Sequence, residues 1–367
     1  MPENAIVRKY EPGDERNIVE FLNSVLKWPA FEIDTPKLDF RKWKYIDVPG
    51  GPATIGLVAN ENGIIVCHSA GLPLRIIIGG KEFKSIEGTD VCRDQEYSTE
   101  EMLLKAIECK NDQAMEKGIE VGFSYPAEGM YDTLTNHFGY RDLGIEVSWP
   151  LYILDPRVFF ALSKAGFPKA IAYRTVTLGN RRLAAKAKRD GSGLVVKETS
   201  RFGPGISKLF RESAKGFDII VVRDQELLNW RYADKRAGKF SILVADSDRE
   251  TYGYVVLKAE GKGETRCCYI VDMLVHPDKS EAARLLLLRA LDHSKRMGAM
   301  ALHCRLVKGH PYRTAFREVG FVRMPRRPQD AETRLLLLNT FGLAEIQDVI
   351  SKDRIRVHMM LGDTDGV

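Results

Sequence analysis

The chain repeats itself, and this internal repeat limits its fold more than any other feature of the sequence. Trp43-Lys44-Tyr45 returns as Trp230-Arg231-Tyr232, 187 positions later. The other matches pair Gly63-Ile64-Ile65-Val66 with Gly253-Tyr254-Val255-Val256, Asp90 and Ser98 with Asp272 and Ser280, Gly118 with Gly298, and Gly139-Tyr140 with Gly320-Phe321. Five matches in one order, at spacings between 180 and 190, predict two copies of one domain.

Both copies show the same order of strand and helix patterns. In the first copy the patterns predict strands over 5–9, 53–60, 63–78, 83–93 and 119–125, helices over 14–25, 98–117 and 128–138, and end strands over 140–154. In the second they predict strands over 194–198, 240–245, 252–259, 267–275 and 299–305, helices over 206–214, 281–297 and 312–319, and end strands over 335–339 and 357–361. Asn62-Gly63 predicts a hairpin turn, and Gly118 is expected to end the long helix.

The repeat places the domain boundaries. It predicts domains over 1–155 and 193–367, joined by a mainly helical connector over 156–192. The connector holds a dense basic run: Arg181, Arg182, Lys186, Lys188 and Arg189. A solvated helix face is typical of such a run, with contacts to phosphates or lipid headgroups as the alternative. The whole chain carries 55 basic and 50 acidic residues, and a net charge of +5 spread this thinly favours no nucleic-acid partner.

The six cysteines indicate reduced thiols rather than a metal site, because no C-x-x-C pair occurs among them. Three lie within apolar strand patterns, where a thiol acts as a small hydrophobic group. The opening residues, MPENAIVRKYEPGDE, lack the apolar segment of a signal peptide, and no run of about 18 apolar residues is present. These features predict a cytoplasmic protein with no transmembrane segment and no metal.

The order of elements resembles the GNAT N-acetyltransferase superfamily, and in particular its tandem members from microbes. The stretch WKYIDVPGGPATIGLVANENGIIVCHSAGLPLRIIIGGKEF carries much of this resemblance, which extends over nearly the whole chain. The resemblance implies an α/β (α+β) fold of two tandem GNAT-like domains, each a mixed, mostly antiparallel sheet flanked by helices. It also implies acetyl-CoA, or another acyl-CoA, as the cofactor. The amine acceptor and the oligomeric state are not specified by it.

The first copy lacks the loop with which this family holds the pyrophosphate of acetyl-CoA. That loop, R/Q-x-x-G-x-G/A, offers backbone N–H groups at the start of the long helix. Ser98, Thr99, Glu100 and Glu101 stand where R-G-x-G would fall, so both glycines and the arginine are missing. Ser98 and Glu101 instead predict a capping box, in which the helix satisfies its own first N–H groups. We therefore expect no acetyl-CoA in the first copy, whose turn also carries Glu96.

The second copy departs less from the family pattern. In HPDKSEAARLLLLRAL the loop again has no glycine, and Asp278 or Ser280 is the predicted helix cap. Small alanines at the helix start and two nearby basic residues suit an anion better than the glutamates of the first copy. The predicted cofactor-binding residues are Leu274, Val275, Lys279, Ser280, Ala282, Ala283 and Arg284.

The family's general acid is absent from both copies. That acid is often a tyrosine four residues before the Gly-aromatic pair, and Thr135 and Phe316 stand there instead. Tyr131 and Tyr312 lie one helical turn earlier. They are predicted to be core or rim tyrosines, and they replace the acid only if the helix is rotated.

The candidate general bases lie on the strand before each long helix. They are Glu87 and Asp90 in the first copy and Asp272 in the second. A carboxylate at the end of a strand also commonly caps a neighbouring turn, and this alternative stays open for all three. His276, before Pro277, is predicted to mark the turn into the helix rather than to act in catalysis.

Three functions follow from the resemblance. The first is an acyl-CoA-dependent N-acyltransferase of unidentified acceptor, whose second copy does the chemistry and whose first copy has weak or lost activity. The second is a non-catalytic tandem protein that binds or scaffolds a partner. The third is a transfer enzyme that uses aminoacyl-tRNA, with the basic connector as its only support. An intact glycine loop would favour the first, and its absence leaves the first two close.

Overall fold

The computed structural model describes residues 5–126, 129–155, 193–247, 250–263, 266–323, 337–339 and 343–364. Its first half contains the helices α1 (Glu15–Leu26), α2 (Lys37–Tyr45), α3 (Glu100–Glu116) and α4 (Met130–His137). The strands of this half are β1 (Ile6–Lys9), β2 (Thr54–Ala59), β3 (Ile65–Ile78), β4 (Lys81–Arg93), β5 (Val121–Ser124), β6 (Arg141–Asp142), β7 (Val147–Ser148) and β8 (Pro150–Ile153). The predicted connector over 156–192 lies outside the described residues.

The second half follows the same order. Its helices are α5 (Gly205–Ala214), α6 (Gln225–Tyr232), α7 (Ser280–Arg296), α8 (Arg313–Val319) and α9 (Gln347–Ile350). Its strands are β9 (Val195–Thr199), β10 (Ile219–Val221), β11 (Ser241–Asp246), β12 (Thr251–Glu260), β13 (Cys267–Val275), β14 (Ala301–Cys304), β15 (Leu306–Val307), β16 (Val322–Arg323), β17 (Leu337–Asn339) and β18 (Val357–His358). The sequence patterns missed β10 and α6 as separate elements, although the Trp-Arg-Tyr repeat lies on α6.

Each half is built around one mixed sheet. The first sheet has the order β1-β2-β3-β4-β5-β17-β6, and β10 and β18 extend it beside the far end of β3. The second has the order β16-β8-β14-β13-β12-β11-β9. Most neighbours are antiparallel, and the parallel pairs within the two main sheet paths are β4 with β5 and β13 with β14. The predicted fold class, two tandem mixed sheets flanked by helices, is confirmed.

Helices cover both faces of each sheet. In the second half α7 packs on one face, and α5 and α6 pack on the other. In the first half α3 packs on one face, and α1 and α2 pack on the other. The amphipathic pattern explains this packing, as α1 turns Ile18, Phe21 and Leu22 toward the sheet at helical spacing.

The parallel strands of each sheet diverge beside the long helix. β13 pairs with β14 only from Cys267–Ala301 to Ile270–Cys304, yet β13 continues to Val275. β4 pairs with β5 over Ser85 to Gly88 and then continues to Arg93. The two strands therefore splay apart at their carboxyl ends, leaving the end of β13 without a strand partner on that side.

The two halves exchange strands. β8, from the first half, lies between β14 and β16 in the second sheet. β17, from the second half, lies between β5 and β6 in the first sheet. Each sheet therefore needs a strand from beyond the predicted connector, and the two sheets are expected to fold as one unit.

The repeated tryptophans meet where the two halves join. The rings of Trp43 on α2 and Trp230 on α6 stack at 4.9 Å between centroids. Each indole Nε1 donates to the backbone oxygen of the other tryptophan, at 2.8 and 3.1 Å. The matching aspartates also hold related places, because Asp90 on β4 and Asp272 on β13 both lie where the antiparallel register shifts. The sequence repeat is thus a structural repeat.

Candidate functional site

The start of α3 in the first copy is closed, but not by the predicted residues. The capping box of Ser98 and Glu101 is wrong, since the helix cap is Thr99, whose Oγ1 accepts from the Met102 N–H at 3.3 Å. Ser98 instead donates its hydroxyl to the backbone oxygen of Asp94. Arg93 donates to the Ser98 carbonyl at 3.0 Å, which helps to hold Ser98 in the loop. The cap therefore lies one residue later than predicted, and the helix begins at Glu100.

Backbone N–H groups of the loop before α3 already donate to acceptors within the loop and the first turn of the helix. Asp94 Oδ1 accepts from the backbone N–H groups of Glu96, at 2.9 Å, and Tyr97, at 3.2 Å. The N–H of Thr99 donates to the sulfur of Met102 at 3.4 Å. A pyrophosphate placed here would have to displace these contacts and would face carboxylates at its own approach.

The start of α7 in the second copy is open. Its cap position is Lys279, which offers no side-chain hydrogen bond, so the predicted caps Asp278 and Ser280 are wrong. Ser280 is the first helical residue, and the Asp278 N–H donates to His276 Nδ1 at 3.3 Å. The cap position falls on lysine, which has no short oxygen-bearing side chain, so no side chain caps this helix start; the Ala282 N–H donates to the Lys279 carbonyl at 2.9 Å.

A cavity of about 340 Å³ lies against this open helix start. It is bounded by the end of β13 and the facing sides of α7 and α8, and Val275, His276, Ser280, Ala283, Arg284 and Tyr312 are among its lining residues. Four residues of the predicted cofactor set are therefore brought together around one space.

The other three predicted cofactor residues do not line this cavity. Leu274 is buried on the opposite face of β13, against α5 and α6. Ala282 is buried in the core beneath α7. Lys279 lies at the helix start, with its Nζ 3.9 Å from Glu281 and 5.3 Å from the ring centre of Tyr252.

The positive charge at the cavity is smaller than the sequence suggests. Arg284 Nη1 lies 3.2 Å from Glu318 on α8. Lys279 is likewise close to Glu281, so both basic residues have acidic neighbours. The helix N-terminus, rather than net side-chain charge, is then the main attraction for an anion here.

Tyr312 places a hydroxyl inside the cavity. Its Oη accepts from the Val275 N–H at 2.8 Å, at the free edge of β13. Burial raises the pKa of this phenol, so it keeps its proton at neutral pH. Phe316, which stands at the family's acid position, is buried in the core. Tyr312 is thus a rim tyrosine on the site itself, one helical turn from the expected acid.

Two buried histidines hold the backbone of Tyr312. The Tyr312 N–H donates to His310 Nδ1 at 3.2 Å, so the proton of that ring is on Nε2. His310 Nε2 then donates to His358 Nδ1 at 3.0 Å. Burial lowers the pKa of His310 to about 3 and that of His358 well below its ordinary value. Both imidazoles are therefore neutral at physiological pH.

The lowered pKa values of these histidines predict that the folded protein loses stability in mild acid. An unfolded histidine binds a proton below about pH 6.5, whereas folded His310 does so only near pH 3. Between these values the unfolded state binds more protons, so the free energy of unfolding falls with falling pH, by about 1.4 kcal/mol per pH unit for each such histidine. Denaturant unfolding between pH 7 and pH 5 should show a shallower pH slope in His310→Asn than in the parent. An unchanged slope would contradict this assignment.

Asp272, the second-copy candidate base, is fully engaged in a buried network. Arg223 Nε donates to it at 3.1 Å, and the hydroxyls of Tyr254 and Tyr232 donate at 3.2 and 3.3 Å. Burial raises the pKa of this carboxyl above its ordinary value, against the opposing effect of Arg223. Arg223 also donates to Asp363, which makes it the cation of a three-residue buried cluster.

The first-copy candidates are also held by cations. Lys44 Nζ lies 2.6 Å from Asp90 and the Tyr45 hydroxyl donates to the same carboxylate. Burial raises the pKa of Asp90, but Lys44 and Tyr45 outweigh it and the pKa lies below its ordinary value. Glu87 is buried 3.5 Å from Arg231. Asp90 is thus a paired carboxylate and a weak base.

Sequence reasoning did not single out Arg223, Arg305 or Asp363. Arg223 ends the apolar run DIIVVR, and Arg305 ends the run ALHCR. A charged residue that closes a buried strand is a recognisable signal for a functional or paired cation.

No helix among the described residues is long and apolar enough to cross a membrane.

Solved structures share this fold at low sequence identity. A GCN5-related N-acetyltransferase from Anabaena variabilis is 11% identical, with a TM-score of 0.64 over 94% of this chain and 74% of its own. A conserved protein of unknown function from Enterococcus faecalis V583, described as a probable N-acyltransferase, is 10% identical, with a TM-score of 0.60 over 92% and 72%. No protein-family model and no curated protein sequence matches the chain.

A two-domain enzyme is also similar. Saccharomyces cerevisiae N-myristoyltransferase with bound myristoyl-CoA is 12% identical, with a TM-score of 0.58 over 93% of this chain and 80% of its own. At such identities the likeness concerns the fold. Together with the two mixed sheets, their splayed strands and the repeated order of elements, it shows that the chain has the fold of GNAT N-acetyltransferases in two tandem copies.

Proposed function

We propose that the chain is an acyl-CoA-dependent N-acyltransferase that holds its thioester in the second copy. The observation that carries this proposal is the cavity at the uncapped start of α7, beside the free edge of β13. The corresponding helix start in the first copy is occupied by its own side chains. The first copy then serves as a partner fold that completes the sheet and the acceptor side.

The residues of the second copy fit a CoA thioester in three ways. Ser280, the first residue of α7, lines the cavity, and a helix N-terminus favours a pyrophosphate. Ala283 is small, so the helix backbone is open to close approach. The N–H of Val275 is held by Tyr312 alone, a contact that a carbonyl oxygen of the ligand would replace.

Two side chains of the second copy have different roles in acyl transfer. An acyl-CoA supplies an acyl group activated as a thioester. Asp272, with its pKa raised by burial, accepts the proton of the attacking amine, directly or through water. Tyr312 lies at the end of β13 as a protonated hydroxyl and can donate a proton there. The cytoplasmic location stays a prediction.

Calorimetric titration with acetyl-CoA and longer acyl-CoAs tests this proposal. The parent should bind one equivalent. Ser280→Glu puts a carboxylate on the exposed first position of α7, which suits a helix start but repels a pyrophosphate by about 1 kcal/mol or more. We expect at least fivefold weaker binding in this variant, with a larger loss at low salt than at high salt.

A matched control distinguishes the two copies. Gln95→Glu adds the same charge to the exposed loop before α3 in the first copy. It should leave the affinity for acyl-CoA unchanged. If the parent binds no acyl-CoA at millimolar concentration, the non-catalytic scaffold becomes the better account. If Gln95→Glu weakens binding and Ser280→Glu does not, the thioester belongs to the first copy.

A further inference from the structure

Arg305 is a buried cation with no hydrogen-bond or ion-pair partner among the described residues. It follows directly after β14, and 6% of its surface is exposed. Its guanidinium makes no hydrogen bond or ion pair with any described residue, and its buried Nε is unpartnered. Burial lowers the pKa of this arginine to about 10. A buried charge is costly unless an opposite charge compensates it, so this site is incomplete as it stands.

A second unpartnered donor lies beside it. The indole Nε1 of Trp149 is buried and has no acceptor in the part of the chain that the structure describes. The guanidinium carbon of Arg305 lies 5.6 Å from the centre of the Trp149 ring. The backbone fixes this neighbourhood, because His303 pairs with Leu151 and Leu306 pairs with Ser148 on the two sides. Two donors are therefore held at one place, one from each half of the chain.

This pair lies on the acceptor side of the splayed strands. Leu302 and Cys304 pack toward α7, so His303 and Arg305 face the opposite side of the sheet by strand alternation. Asp272 also faces that side, because its partners Tyr232 and Tyr254 belong to the core under α5 and α6. Arg305 comes one residue after the last β13–β14 pair, at the mouth of the splay.

The surroundings favour a singly charged, planar anion. Asp363 and Tyr125 are close enough to act on the charge of Arg305 without pairing with it. Asp363 is already held by Arg223 and by the Met360 N–H. A phosphate dianion would meet more repulsion from Asp363 than a carboxylate would. The guanidinium fork and one indole N–H match the two oxygens of a carboxylate.

We propose that Arg305 and Trp149 bind the carboxylate of the acceptor, so that the acceptor is an amino acid or a similar amine that carries a carboxylic acid. This inference rests on the proposed acyltransferase function. It places the amine on the side of Asp272 and the carboxylate at Arg305. Because Trp149 belongs to the first half and Arg305 to the second, the acceptor site depends on the strand exchange.

Binding of amino acids and of their amides tests the proposal without acyl-CoA. The parent should bind a subset of free amino acids in calorimetric titration, and the matching amino-acid amides at least tenfold more weakly. Arg305→Met should lose at least tenfold in affinity for the acids and leave binding of the amides unchanged. Arg41→Met is a matched control, since Arg41 is a buried arginine of the first copy with unpartnered nitrogens. It should leave binding of the acids unchanged.

Thermal unfolding separates a binding role from a structural one. Removing an unpaired buried charge should keep or raise the melting temperature of Arg305→Met. Equal binding of acids and amides, no effect of Arg305→Met, or a large fall in its melting temperature would each overturn the carboxylate site. Acid binding that depends on Arg305 in a protein that binds no acyl-CoA would support the site and reject the acyltransferase. Loss of acyl-CoA affinity in Arg305→Met would instead assign Arg305 to the cofactor.

Discussion

Arg223→Met is expected to lower the free energy of unfolding by about 3–5 kcal/mol, because it leaves a buried carboxylate pair without its cation. Arg223 is almost fully buried, donates to Asp272 at 3.1 Å and also donates to Asp363. It further donates to the Val221 carbonyl at 2.9 Å, so it links β10 to β13 and to the C-terminal segment. Methionine of similar length fills the space but removes every one of these contacts.

Denaturant unfolding, monitored by circular dichroism, measures this loss. Arg211→Met on the exposed face of α5 is the matched control, and it should change the free energy of unfolding by no more than about 0.5 kcal/mol. A loss of less than about 1 kcal/mol in Arg223→Met would mean that the two carboxylates are protonated or hydrated in the native state. The network would then not act as a buried ion cluster.

Asp272→Asn is expected to reduce acyl transfer by about 10²- to 10⁴-fold, the usual contribution of a general base. The amide keeps the shape of the side chain and can still accept from Tyr254 and Arg223, but it takes no proton from an amine. The affinity for acyl-CoA should stay within a few fold of the parent, because Asp272 faces away from the cavity at α7. Steady-state rates with a saturating amine measure the effect.

Tyr232→Phe separates proton transfer from disruption of the network. This variant removes one hydrogen bond, of 3.3 Å, to the same carboxylate and leaves the carboxylate in place. Its turnover should fall by less than tenfold. If Tyr232→Phe costs as much as Asp272→Asn, the network has a positioning role and Asp272 is not the base.

The repeat made the fold predictable from sequence. Trp43 and Trp230 could be matched because both are needed at the junction, where each indole donates to the other's backbone. Asp90 and Asp272 could be matched because both lie at the register shift beside a splay. Alternation and helical spacing then placed most strands and helices within a few residues.

The strand exchange could not be read from sequence. Periodicity shows that β8 and β17 are strands, but it does not show which sheet each joins, since the pairing is set by distant partners such as Leu302 and Phe123. The connector length is compatible with either choice. For the same reason the proximity of Arg305 to Trp149, which follows from the strand exchange, had no sequence signal beyond a charged strand end.

The sequence predicted that α3 begins with a cap of its own, but it assigned the caps of the long helices to the wrong residues. The capping residue is the one whose hydroxyl is not already bonded within the loop. The Ser98 hydroxyl donates to the Asp94 backbone oxygen, so Thr99 caps the helix. The positive charge at α7 was overestimated for a related reason. Glu318 lies on a different helix, so its pairing with Arg284 depends on how α8 packs against α7.

A crystal structure of the protein with acetyl-CoA would show where the thioester binds. We expect electron density for the pyrophosphate at the N–H groups of Ser280 and Glu281, with the thioester along the edge of β13 toward the splay. We also expect the start of α3 to keep the contacts of Asp94 and Thr99 and to hold no ligand. Density at the start of α3, or a cavity at α7 that stays empty under saturating acetyl-CoA, would contradict this expectation.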